Sequence, residues 1–432
     1  MKEDIKGTRL DNGLVVLTDK MAGVRSATLG FFYRVGSRNE PDELNGITHF
    51  IEHCVFKGSK KRSAMEIAIE QDRLGGNLEA FTTHEETGFV IKVIDDRLDH
   101  AFDLLSDMLT DPRFDDADCE NEQRVIIEEM KMNDDSPEEL LTDIFHREFF
   151  HGHQLGMAIT GTPETVRTFD HTRTSDYHMQ AFTPENLVIA AAGNVDHDEL
   201  VAKVRSSGIS RPRSTTKGLG ANESQLKREL QAAIPAAPIF IERREDLEQA
   251  HLIVAAPMVH ARDPRRYAAD LLSNVLGGGT SSRLWQKIRE DRGLAYSVGA
   301  SVGMYLDTGF FTVSAATSPD QTDEVLDIVV EELGQVAKDG VTADELDLMK
   351  EQTRASVLLA LEDSAGRAGS LAQSEMVHGR QITIEESLAN LAAVTADDIQ
   401  TLARECFQTD ELAFVALGDL DGLNVDRDRL TI

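Results

Sequence analysis

Two tandem homologous α+β domains, each a largely antiparallel sheet with helices packed on it, are the fold class that this 432-residue sequence predicts. Three observations predict it. Segments recur in the same order at an offset of roughly 221 to 226 residues, the signature of an internal duplication. Within each copy, apolar runs of strand length alternate with stretches of helical period. Between the copies lies SSGISRPRSTTKGLGANESQLKRE, residues 206 to 229, rich in Ser, Gly, Thr and Lys and poor in apolar residues, which is a linker composition. The expected division is a first domain over 1–208, a linker over 209–232 and a second domain over 233–432.

The elements follow in chain order. ATLGFFYRVGSR from Ala27 is a strand-like run answered by AHLIVAAPMVHAR from Ala250. A helix comes next in each copy, inside NGITHFIEHCVFKG from Asn45 and RYAADLLSNVLGGG from Arg266, with Asn45 or Thr48 available to cap the first. LEAFTTHEETGFVIKV from Leu78 alternates as a strand pair, and its second strand, TGFVIKV from Thr87, pairs with TGFFTVS from Thr308. Two helices follow. LDHAFDLLSDML from Leu98 matches TDEVLDIVVEEL from Thr322, and DDADCENEQ from Asp115 matches VTADELDLMKEQ from Val341. A last strand closes each copy, ENLVIAAAGNVD from Glu185 and ELAFVALGDLD from Glu411.

Composition narrows the function classes. With 41% apolar and 28% charged residues the chain reads as globular, and its longest apolar runs, such as LVIAAAG from Leu187, are too short to span a bilayer. A net charge of −32 argues against nucleic acid, whose phosphates need Lys and Arg. The start, MKEDIKGTRL, lacks an apolar signal-peptide core, so a cytoplasmic location without membrane partners is expected. Cys54, Cys119 and Cys406 are too few for a disulfide framework and are expected as small buried side chains.

One motif carries chemistry. HFIEHCVF, residues 49 to 56, sets two histidines four positions apart with a glutamate before the second; 13 histidines and 76 acids in 432 residues predict roughly 0.07 such patterns by chance. On a helix His49, Glu52 and His53 share one face while Ile47, Ile51 and Cys54 lie opposite, so two imidazoles one turn apart can meet one ion. Catalytic zinc needs a third protein ligand. In ENEQRVIIEEMKMNDD, from Glu120, Glu122, Val125, Ile126 and Glu129 share a face, and periodicity prefers Glu129 over the adjacent Glu128. Imidazole with carboxylate also suits iron or manganese. Elsewhere, HGHQLG around His151 and His153 reads as a turn, Gly277 to Gly279 as a helix connection, and His84 as the exposed tip of a hairpin.

His49, Glu52 and His53, followed 76 residues after His53 by Glu129, resemble the inverted zinc motif of the pitrilysin, insulin-degrading enzyme and mitochondrial processing peptidase family, in its shorter two-domain bacterial form. LDNGLVVLTD, LGGNLEAFTTHEETGFV, EQRVIIEEM and HGHQLGMAITGTPETV extend the resemblance over nearly the whole chain. It implies a processing-peptidase-like metallohydrolase fold and a zinc endopeptidase acting on peptides or unfolded segments inside an enclosed chamber. One zinc per chain would be held by His49, His53 and Glu129, with Glu52 activating a zinc-bound water and Glu122 supporting the site. The second copy has no histidine pair, and its third-ligand position falls near Ala355. It offers Arg289 and Tyr296, which read by themselves as a helix-surface arginine and a half-buried tyrosine. The resemblance implies instead that Tyr296 donates to the oxyanion and Arg289 holds a substrate carbonyl. It further places Ala80, Phe81 and Thr82 on a strand edge that binds substrate; many relatives have asparagine where this chain has Glu79. A homodimer is implied, because two domains alone would not close a chamber. The alternative is a non-catalytic core or scaffold subunit, against which the intact motif speaks.

Overall fold

The computed structural model describes residues 3–211 and 232–432. Apart from 209–211 and Ala232, the expected linker lies outside the described residues. Up to residue 211 the strands are β1 (Ile5–Arg9), β2 (Val15–Lys20), β3 (Ser26–Tyr33), β4 (Leu78–Thr82), β5 (Thr87–Ile94) and β6 (Leu187–Gly193). The helices there are α1 (Ile47–Cys54), α2 (Ala64–Leu74), α3 (Leu98–Thr110), α4 (Asp116–Asp134), α5 (Pro137–Phe149), α6 (Pro163–Val166), α7 (His171–Ala181) and α8 (His197–Ser206). After residue 232 come β7 (Ile239–Arg243), β8 (Ala250–Met258), β9 (Ala295–Met304), β10 (Gly309–Thr317) and β11 (Ala413–Gly418). Their helices are α9 (Arg266–Gly277), α10 (Thr322–Asp339), α11 (Ala343–Ala360), α12 (Ser364–His378), α13 (Ile384–Ala393) and α14 (Ala396–Cys406).

The strands form two sheets, ordered β1-β2-β6-β3-β5-β4 and β7-β11-β8-β10-β9. Without β1 the two orders superimpose position for position, so the duplication seen in the sequence is a duplication of topology. One parallel pair occurs in each sheet, β2 with β6 and β7 with β11; the other pairs are antiparallel. β4 and β9 are edge strands.

Alternation along each strand sends one set of side chains to each sheet face. In the first sheet Leu29, Phe31, Phe89 and Ile91 join Ile47, Phe50 and Ile51 of α1 and Phe102, Leu105 and Leu109 of α3 in one buried core. The second sheet repeats this with α9, α10 and α14. The opposite faces hold what the sequence did not announce. Val15, Leu17, Phe32, Val188 and Ala190 of the first sheet are covered by Leu371 and Ala372 of α12, from the second half of the chain. Ile253, Ala255, Val415 and Leu417 of the second sheet are covered by Leu141, Ile144, Phe145 and Phe149 of α5, from the first half. Each half therefore lends its equivalent helix to the other half's sheet. The two compact units are accordingly discontinuous: one holds the described residues before Met132, those from Met157 to Arg211, and Leu358–Thr383; the other holds Met132–Gly156, Ala232–Val357 and Ile384–Ile432.

Two local expectations are corrected. His84 sits in the β4–β5 turn but is buried, because that turn lies on the 36–38 segment: Ser37 N donates to Thr83 O and Arg38 N to His84 O. Cys54 and Cys119 are buried as expected, whereas Cys406 is only half-buried. Among the described residues, no helix is long and apolar enough to cross a membrane.

Candidate metal centre

α1 carries His49 and His53 one turn apart. Its N-terminus is built by residues that local patterning does not reveal. Gly46 takes φ +93°, and a Cβ there would stand 2.6 Å from Thr160 O, so only glycine fits the entry. Neither Asn45 nor Thr48 caps the helix through its side chain. Instead the buried carboxylate of Glu40 accepts from Gly46 N and Thr48 N, each at 2.7 Å, which places a negative group at the positive end of the helix. Burial pushes the Glu40 pKa up to about 7, against the lowering effect of these hydrogen bonds. A carboxyl raised in the folded state contributes stability that is fully present below its unfolded pKa and lost as pH rises through the folded one. Relative to Glu40→Gln, the wild type is therefore expected to lose roughly 3 kcal/mol between about pH 4.5 and about pH 7. Urea titrations of both proteins across that range check this; a difference that does not change with pH contradicts it.

α4 supplies the carboxylates. Glu129 reaches the two imidazoles, while Glu128 is exposed and pairs with Lys131 at 2.6 Å. Ile126 is fully buried, but Val125, about 60° from Glu122 around the axis, turns outward and is 48% exposed. Oε1 of Glu129 stands 3.8 Å from Nε2 of His49, and Oε2 stands 3.6 Å from Nε2 of His53. One ligating atom from each of the three residues lies within 4.8 Å of the other two, the only such cluster of three or more among the described residues. These separations are too long for good hydrogen bonds. Two zinc ligands at about 2.0 to 2.1 Å and a tetrahedral angle stand about 3.3 Å apart, so the separation of Glu129 from each imidazole is within a few tenths of an ångström of that spacing.

The two imidazoles sit in different electrostatic environments. Burial, with the charge of His53, lowers the His49 pKa to about 3 and keeps that ring neutral. For His53, burial disfavours the charged ring but is outweighed by the Glu122 hydrogen bond and the nearby charges of Glu129 and Glu52, so its pKa is raised. Its Nδ1 lies 3.3 Å from Oε2 of Glu122; donation from Nδ1–H leaves the Nε2 lone pair facing Glu129. Lys57 Nζ holds the other Glu122 oxygen at 2.7 Å. The donor types, and the Nδ1-protonated form of His53 that Glu122 favours, suit a zinc ion.

Glu52 lies on the same helix face, outside the ligand cluster. Its carboxylate accepts from Thr82 Oγ1 at 2.8 Å, and burial raises its pKa against that bond and the His53 charge. Thr82, Phe81 and Ala80 are on β4, whose outer edge pairs with no other strand among the described residues. Arg289 and Tyr296 belong to the other compact unit. There the Arg289 guanidinium lies between the rings of Trp285 at 4.2 Å and Tyr296 at 4.4 Å, and Nη1 donates to Tyr296 O at 2.7 Å. Tyr296 is 79% exposed rather than half-buried, its ring stacked on this cation. Sequence reasoning missed Glu40 and Lys57. Glu40 lies outside any helical or strand period of the motif; Lys57 stands one turn after His53, but its partner Glu122 is remote in sequence.

The sequence and the fold match those of known proteins. Residues 15–163 match the family described as Insulinase (Peptidase family M16), and residues 168–353 match the Peptidase M16 inactive domain. An uncharacterized zinc protease of Streptomyces coelicolor is 37% identical over 406 residues, covering 93% of this chain and 87% of that protein. One from Mycobacterium leprae is 38% identical over 398 residues, covering 92% of this chain and 88% of that protein. Among solved structures, a protease from Helicobacter pylori superimposes with a TM-score of 0.88 at 21% identity, covering 96% of this chain and 100% of that one. A mixed α/β chain of two duplicated sheets with an HxxEH helix is the class that fold and site define. The chain belongs to the insulinase family, peptidase family M16.

Proposed function

We propose that this protein is a zinc-dependent endopeptidase that hydrolyses peptides or unfolded segments. The observation that carries the reading is the meeting of His49, His53 and Glu129 around a space of zinc-ligand dimensions with Glu52 beside it. Zinc, one per chain, supplies a Lewis acid that lowers the pKa of water and polarises a carbonyl. Glu52, oriented by Thr82, takes the proton from the attacking water and returns it to the amine leaving the scissile bond. Glu122, its charge shared with Lys57, holds His53 in the tautomer that leaves Nε2 free. Ala80, Phe81 and Thr82 hold an extended substrate by main-chain hydrogen bonds along the β4 edge, a mode with little side-chain selectivity of its own. Tyr296 donates to the developing oxyanion and Arg289 holds a substrate carbonyl. A homodimer would enclose the chamber, and the reading places the enzyme in the cytoplasm.

Mass spectrometry of products from a mixed peptide pool tests the reading. Internal cleavages that vanish with a zinc chelator and return with zinc are expected. An intact pool with stoichiometric zinc bound would favour a scaffold subunit.

A further inference from the structure

On β4, Thr82 points to Glu52, and Leu78 and Ala80 pack into the core shared with α1. Glu79 and Phe81, the alternate residues, therefore face the other side of the sheet, toward α12. A cavity of about 430 Å³ opens there, bounded by Glu79, Phe81, Glu86, Phe32, Ala372 and Met376. Its floor is apolar. Phe81 packs on Phe32 at 6.4 Å between centroids and lies over Gly88, where a Cβ would come within 2.4 Å of the ring. Its acidic groups are uncompensated. Neither Glu79 nor Glu86 forms an ion pair among the described residues, and Glu79 accepts only a hydrogen bond from Asn77 Nδ2 at 3.2 Å. Burial, with the neighbouring Glu85 charge, raises the Glu86 pKa, so a cation beside it would relieve an existing strain. Lys92, on β5 two residues beyond Val90, the partner of Glu79, is already paired with Asp363.

A peptide added to β4 presents every second side chain to this face. We propose that the cavity between β4 and α12 receives a lysine or arginine side chain of the bound peptide, its stem along Phe81 and Met376 and its cation against Glu79 and Glu86. This rests on the peptidase reading above for how the peptide lies. Long basic side chains bury their stems on apolar surface and keep the charged head at a polar rim, which is the shape and chemistry found here. A methionine of similar length fills the floor without the charge, and a glutamate is repelled.

The test uses the full chain carrying Glu52→Gln, so that peptides bind without being cut, and labelled peptides in which Lys, Met or Glu is moved through successive positions. Fluorescence anisotropy is expected to show, at one position, Lys bound roughly five- to tenfold more tightly than Met and Glu most weakly. Adding E79Q and E86Q is expected to bring the Lys-to-Met ratio to within about twofold, and E79Q alone to remove part of it. Equal affinities for Lys and Met at every position, no binding of either, or a preference that survives the added substitutions would overturn the inference. Product analysis with Glu52 restored reads the peptidase proposal separately. A chain that binds with this preference but cuts nothing keeps the cavity and loses the peptidase; one that cuts without the preference loses the cavity alone.

Discussion

Glu52→Gln is expected to lower kcat/KM for peptide hydrolysis by about 10²- to 10⁴-fold while zinc content stays at one per chain. Glutamine has the same shape and can still accept the Thr82 hydroxyl, so the helix and ligand cluster are preserved. What it lacks is a lone pair basic enough to take a proton from water. The loss should appear in kcat with KM little changed, since the group is used only as the bond breaks. Steady-state kinetics with metal analysis on the same samples checks both halves. A variant that loses zinc with activity would place Glu52 among the ligands instead.

Arg367→Met is expected to destabilise the fold by about 3 to 5 kcal/mol in urea unfolding. Arg367, on α12, pairs with Asp19 of β2, and both side chains are almost fully buried at 2% and 4% exposure. Its Nε also donates to Leu361 O at 2.6 Å. Removing the guanidinium leaves the Asp19 carboxylate in a dry site with, among the described residues, Asp4 N as its remaining donor, at 3.0 Å. The penalty belongs to the stranded charge more than to the lost attraction. Arg367→Met with Asp19→Leu should therefore recover most of the stability, and a double-mutant cycle reads that non-additivity. Thr28 Oγ1 with Ser364 Oγ at 2.8 Å and Glu375 with Arg9 and Arg34 fix the same helix to the same sheet. A small loss, or additive effects, would mean that α12 is held by apolar packing alone.

The elements that repeat were legible because a duplicated strand or helix states its period twice. The run from Ala27 and the run from Ala250 became β3 and β8, and the two sheets share one order. The motif helix was legible from its own face, since Ile47, Ile51 and Cys54 fall on one side at 100° per residue and all three are buried. Glu129 rather than Glu128 followed from two turns of α4. The rest depends on contacts between residues far apart in sequence. No periodicity links Glu40 to the amides of Gly46 and Thr48, or Lys57 to Glu122, because each reaches across a loop or between helices. The exchange of α5 and α12 was hidden for the same reason: an amphipathic helix shows that it covers an apolar face, not whose. The exposure of Val125 and Tyr296 and the burial of His84 depend on what packs around them, which composition does not encode.

The central claim is that two imidazoles and one carboxylate hold a single ion. Anomalous diffraction at the zinc edge from crystals of the full chain tests it most directly. One peak is predicted within about 2.0 to 2.2 Å of Nε2 of His49, Nε2 of His53 and a Glu129 oxygen. No peak there, or a peak whose ligands exclude Glu129, would contradict it.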